Sequence, residues 1–211
     1  MQVNLQQCKI VLLVVTVILT LLVASPALER LLVHTQTDFF TELSLLGPEH
    51  NAGNYPVNIT RNEKYNVFLG ASNHLGHCAY YMIQVKFRTQ NQSAPNSFTH
   101  TPSSLPSLYK INFIIADKET WELPVTFSFD YSYEENNSQV NFNRLMFNGA
   151  PLNLDGSSAA WDEEKRRFYG NLIFELWIYN DEVEDFTYHQ RYSDLKFNMT
   201  VPEIAESQLL I

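Results

Sequence analysis

Residues 121–133, WELPVTFSFDYSY, alternate without a break. The odd positions are Trp121, Leu123, Val125, Phe127, Phe129, Tyr131 and Tyr133; the even positions are Glu122, Pro124, Thr126, Ser128, Asp130 and Ser132. A helix turns 100° per residue and would scatter these rings around its axis, whereas a strand places them all on one face. The segment is therefore a strand with one face in a core and one in water. Pro124 falls on the polar parity and cannot donate to a ladder, so it marks an edge or a bulge.

The same period recurs along the chain. KYNVFLGAS aligns Tyr65, Val67, Leu69 and Ala71, and AYYMIQVKFR aligns Ala79, Tyr81, Ile83, Val85 and Phe87. YKINFIIAD, QVNFNRLMFNG, DLKFNMT and the short FFTELSLLG and YPVNIT are further strands, rich in aromatic and branched residues. FYGNLIFELWIYN is apolar on both parities, which predicts a central strand covered on both faces. Turn chemistry separates the strands: GPEHNAGN, RNE, SNHLGH, FNGAPLNLDGSS and YNDEVED. Many strands without an amphipathic helix predict an all-β sandwich. The one helical candidate is SSAAWDEEKRR, with Ser157 or Ser158 as cap. Residues 89–107, TQNQSAPNSFTHTPSSLPS, read as a long exposed loop of the kind that is often functional or mobile.

The N-terminus is of another kind. Ile10 to Ala24 carry no charge, Lys9 precedes them, and Glu29 and Arg30 follow. The run suits membrane targeting. It is either a signal peptide, with Ser25–Ala27 as a small-residue cleavage site, or an anchor extended by Leu5 and Pro26–Leu28 toward the roughly 20 residues a bilayer needs. The retained anchor is favoured, with the positive N-terminus inside and everything after residue 30 outside. A secreted protein is the outcome if the segment is cleaved. Residues 1–30 thus form a signal-anchor helix, 38–200 a sandwich ectodomain and 201–211 a C-terminal tail. Cys8 and Cys78 lie on opposite sides of the apolar run, so no intrachain bridge is expected, and Cys78 reads first as a small core residue and second as a partly exposed free thiol. The formal charge of −9 repels phosphate backbones and argues against nucleic acid as a partner.

Four Asn-x-Ser/Thr patterns occur, at Asn58, Asn91, Asn136 and Asn198. Chance gives about 2.5 from 19 Asn and 28 Ser plus Thr, so placement says more than number. Asn58 and Asn198 lie on polar strand parities, Asn91 lies in the long loop, and Asn136 follows a strand end. Each is a glycosylation candidate on a surface that faces outward, and Asn198 is expected to be solvent-exposed on a last, terminal strand. No nucleophile elbow, phosphate loop or dinucleotide fingerprint is present. His74 and His77 are the residues a metal would take, but a site needs further ligands, and a strand-connecting turn explains them better. The acidic stretches Asn180–Asp185 and Asp162–Glu164 read as solvated turns. Neither a cofactor nor a catalytic residue is indicated.

Residues 39–87 carry a recognisable order of motifs: Phe40-Thr41-Glu42, Leu46-Gly47-Pro48, Tyr55-Pro56, Glu63 before a strand, then Gly70 and Asn73. Together with the tail YHQRYSDLKFNMT, this resembles the conserved-domain family of unknown function numbered 1616, over residues 38–200. The resemblance implies a membrane-anchored protein, mostly archaeal, with an immunoglobulin-like ectodomain, and it brings no catalytic residue. The expected protein is a single-pass membrane protein, anchored in the lipid bilayer through its N-terminal helix. Its immunoglobulin-like antiparallel β-sandwich would serve as a non-enzymatic structural or protein-interaction module of the cell envelope, or as an accessory subunit of a membrane or surface complex. An envelope glycan-binding module comes second, and a metal- or carboxylate-dependent enzyme third.

Overall fold

The computed structural model describes residues 9–21, 39–90 and 92–201. Cys8, the Ser25–Ala27 cleavage motif, Asn91 and the tail beyond Val201 lie outside the described residues. The chain divides into two units, residues 1–38 and residues 39–211.

In the first unit, residues 9–21 form an α-helix whose side chains are exposed all round. Its two threonine side chains bond back to the helix itself: Thr16 Oγ1 donates to Leu12 O, and Thr20 Oγ1 to Val17 O at 2.8 Å. Among the described residues no helix is long and apolar enough to cross a membrane.

The second unit is an all-β sandwich of ten strands: β1 (Phe40–Leu46), β2 (Asn58–Ile59), β3 (Tyr65–His74), β4 (Ala79–Arg88), β5 (Tyr109–Ile115), β6 (Thr120–Glu134), β7 (Gln139–Phe147), β8 (Ala150–Ala160), β9 (Phe168–Asn180) and β10 (Asp185–Met199). One sheet has the order β1-β3-β6-β7-β8 and the other β2-β10-β9-β4-β5. All pairings are antiparallel except β2 with β10, which run parallel. Two five-stranded sheets joined by crossing connections, with the last two strands paired at the heart of one of them, make up the β-sandwich.

The alternating parities become the core. Val67, Leu69, Val125, Phe127, Phe129 and Phe142 from the first sheet meet Ile83, Val85, Phe87, Leu172, Phe174 and Phe197 from the second. Rings bridge the two sheets: Phe87 lies 4.7 Å from Phe142 and 5.4 Å from Phe129, and Phe197 lies 5.1 Å from Phe129. Gly170 has a reason within its strand. It faces Phe197 across the β9–β10 ladder, and a Cβ there would come within 2.5 Å of the ring.

Pro124 sits where β6 is locally an edge. Residues 120–127 of β6 pair with β3, but the ladder to β7 begins only at Phe127. Asn148, in the Asn-Gly turn between β7 and β8, fills the gap: Thr126 N donates to Asn148 Oδ1 at 2.7 Å, and Asn148 Nδ2 donates to Pro124 O at 3.4 Å. Both turn residues have positive φ, the conformation a tight hairpin of this kind requires.

Three expectations are corrected. SSAAWDEEKRR is not a helix: Ser157–Ala160 complete the β8 ladder against Gln139–Phe142, and Asp162 and Arg167 close a turn by mutual backbone hydrogen bonds. Strand partners on β7 override the local helix preference of the acidic run. Cys78 is exposed rather than a core residue, because it ends the β3–β4 turn ahead of the strand. The long loop is not wholly exposed: Pro95 and Ser103 are buried, and Ser103 lies against Lys86 and Glu175 on the outer face of the β9 sheet.

A buried polar network stitches β1 to β10 across the edges of the two sheets. Tyr81 Oη donates to Asn73 Oδ1 at 3.1 Å and lies 3.2 Å from Thr41 Oγ1, which is 3.0 Å from His189 Nε2. Arg191 Nε donates to Thr41 O at 3.3 Å. A bulge between Tyr188 and Arg191, with Gln190 at positive φ, places His189 in this network.

Candidate functional site

The outer face of the β2-β10-β9-β4-β5 sheet is organised in cross-strand rows. Odd residues of β9 and even residues of β4 point away from the core, as their partners Leu172, Phe174, Ile83 and Val85 point into it. At the centre lie Ile173 and Glu175 of β9 and Lys86 of β4, all buried. The long loop covers them. Lys86 Nζ stands 2.8 Å from Glu175 Oε2 and donates to Ser103 O at 2.7 Å, and Ser103 N donates to Glu175 Oε1 at 2.7 Å. The Lys86–Oε2 contact is off-axis for a hydrogen bond, yet it neutralises the carboxylate as an ion pair. The two side chains are only 4% and 0% exposed, so each charge depends on the other. This is what makes β9 a strand covered on both faces.

The cover stops short of the sheet's far end. Met82, Trp177 and Tyr188 form the next row, with Trp177 and Tyr188 rings 5.6 Å apart. Burial, the Glu175 charge and Tyr192 push the Tyr188 phenol up to about 12, so it stays neutral. Trp177 Nε1 is buried without a hydrogen-bond partner.

Beyond this row the face is apolar and open. Ile114 of β5 pairs with Tyr80 of β4, and Phe186 of β10 pairs with Tyr179 of β9. Tyr80 lies 6.1 Å from Tyr179 and 5.0 Å from Phe186, so the four side chains make one row across four strands. Ile114 is 66% exposed, Tyr80 38% and Tyr179 36%. The β9–β10 turn adds exposed Val183 and the exposed acids Asp181, Glu182, Glu184 and Asp185 at its end. The far end of the face is thus an exposed apolar row with an acidic rim.

The residues singled out from the sequence fall elsewhere. Asn58 and Asn198 are brought together: they are register partners in the parallel β2–β10 pair, and Asn198 Nδ2 donates to Asn58 Oδ1 at 3.1 Å. Asn58 is exposed and Asn198 half-buried, because β10, though last in sequence, is flanked by β2. Asn136 is exposed in the 3-10 turn Glu135–Asn137, and Asn91 lies outside the described residues. His74 stacks on Phe40 at 4.5 Å, and His77 Nδ1 lies 3.0 Å from Leu75 O. Among the described residues no three His, Cys, Asp or Glu side chains gather as a metal would need. The row itself was half-visible: Tyr80 and Tyr179 stand on the outward parity of their strands, but their alignment with Ile114 and Phe186 depends on register.

A family model, the domain of unknown function DUF1616, matches residues 34–166. The chain belongs to that family. The match ends before β9, so the likeness of the tail YHQRYSDLKFNMT lies beyond it. No curated protein matches this DUF1616 chain. Among solved structures, a β-glucosidase from Listeria innocua in complex with glucose is similar, at 9% identity and TM-score 0.39, over 78% of this chain and 16% of that one. Spo0M, a sporulation control protein from Bacillus subtilis, is similar at 8% identity and TM-score 0.39, over 81% of this chain and 53% of that one. Likeness at this level carries nothing about activity.

Proposed function

We propose that the sandwich is a non-catalytic protein-interaction module and that the Ile114–Tyr80–Tyr179–Phe186 row is where it docks. The observation that carries this is the exposure of a contiguous apolar row on a sheet face whose centre is covered by the chain's own loop. The complementary surface is apolar with a basic rim, to meet Asp181, Glu182, Glu184 and Asp185. The unpartnered indole N–H of Trp177, next to the row, offers a donor to a partner's carbonyl. The rings meet at interplanar angles of 43° to 76°, which leaves no flat platform for a sugar ring and favours protein over envelope glycan.

We place the domain outside a membrane, held by the N-terminal segment, as an accessory subunit of an envelope or membrane complex. The uncharged run Ile10–Ala24 supports this, as does the internal satisfaction of Thr16 and Thr20, which a helix surrounded by lipid requires. The test is affinity purification of the intact protein from solubilised native membranes, beside an Ile114→Glu/Tyr80→Ser variant. A stoichiometric partner recovered with the wild type and lost with the variant, at unchanged melting temperature, is the expected result. Recovery of a partner-free monomer in both cases would sink the proposal.

A further inference from the structure

The opposite end of the same sheet face has the reverse character. Arg88 of β4 and Lys196 of β10 flank Asn171 of β9 in one cross-strand row, and Lys165 and Arg167 approach from the turn ahead of β9. These four cations line a cleft of about 710 Å³, together with Asp162, Trp161 and Tyr169. Four of the chain's 14 Lys and Arg thus meet two of its 23 Asp and Glu, Asp162 in the lining and Asp194 beside Lys196, in a molecule whose formal charge is −9. The local field is positive against the sign of the whole.

The two arginines are poorly neutralised. Among the described residues neither Arg88 nor Arg167 has an ion-pair partner, whereas Lys165 is 3.5 Å from Asp162 and Lys196 is 3.3 Å from Asp194. Arg88 Nε is occupied by Gln92 O, which leaves the outer edge of its guanidinium free, and Arg167 Nε is buried without a hydrogen-bond partner. Arg167 is held over the Tyr169 ring, 5.9 Å from its centroid, which fixes the planar fork. Asn171 Oδ1, between the two flanking cations, is also buried and unpartnered.

We propose that this cleft binds an acidic saccharide, a sugar unit bearing a carboxylate. Two guanidinium forks match a carboxylate with paired hydrogen bonds. Trp161 and Tyr169 supply ring surface for the apolar face of a pyranose, and the volume suits one or two sugar units, far more than a lone inorganic anion fills. The site is independent of the docking row, which lies at the other end of the face.

The test is calorimetric titration of the full chain, purified in detergent, with digalacturonate, cellobiose and inorganic phosphate. Digalacturonate should bind at least tenfold more tightly than cellobiose or phosphate, and its affinity should fall as salt rises. Arg88→Gln and Arg167→Gln should each weaken it about tenfold or more. Arg88→Lys should recover part of the loss, and the exposed Lys196→Gln, which cannot disturb the core, should weaken it several-fold. Equal binding of cellobiose overturns the role of charge, phosphate binding as tightly as digalacturonate overturns the saccharide, and no binding or indifferent variants overturn the site.

Discussion

At the scale of single residues, an asparagine pair and one histidine make different demands on the protein. Asn58 and Asn198 share one hydrogen bond across strands that lie about 4.8 Å apart, so two glycans cannot project from the pair at once. In a host that glycosylates Asn, peptide mapping with intact-mass analysis should find Asn136 occupied and either Asn58 or Asn198 occupied in any one molecule, with the exposed Asn58 preferred. A molecule carrying sugar at both would contradict the parallel register of β2 and β10. His189 makes the second demand. Burial, and then the charge of Arg191, lowers its pKa, while Thr41 and Tyr81 face it from the other strands. The folded protein thus keeps the ring neutral, and unfolding takes up a proton below the ordinary value of about 6.5. Its contribution to stability is present above that pH and is lost as pH falls through 6.5 toward the folded value. Denaturant unfolding between pH 7.5 and 5 should show this loss, and His189→Gln should flatten it.

At the scale of elements, the Lys86–Glu175 pair under the long loop is the part of the fold most open to test. Lys86→Met leaves the Glu175 carboxylate buried beside Ser103 with no cation, and should cost about 3–5 kcal/mol. The double change Lys86→Met/Glu175→Leu should recover most of that loss. Chemical denaturation of the wild type, Lys86→Met, Glu175→Leu and the double variant measures the coupling, and additive losses would show that the pair is not buried as described. Strand parity made most of this architecture legible. Trp121–Tyr133, Tyr65–Ala71 and Ala79–Phe87 face as their alternation requires, and the doubly apolar β9 is central. What local pattern could not show was register. Lys86 and Glu175 are 89 positions apart, the docking row draws on four strands, and the cationic cleft on three segments. The stretch SSAAWDEEKRR misled for the same reason: its helical composition is local, but its strand partners, Gln139–Phe142, are not.

At the scale of the whole molecule, one sheet face carries three surfaces in sequence: a cationic cleft, a centre sealed by the loop, and an open apolar row with an acidic rim. The charge and polarity of that face thus change from one end to the other. The central claim is that the apolar row meets a protein. A photo-reactive phenylalanine analogue at position 114, with one at the exposed Thr126 on the other sheet as control, tests it in native membranes. A discrete crosslinked product is expected from position 114 and none from position 126. A chain that stays uncrosslinked at 114, or crosslinks equally at both, would contradict it.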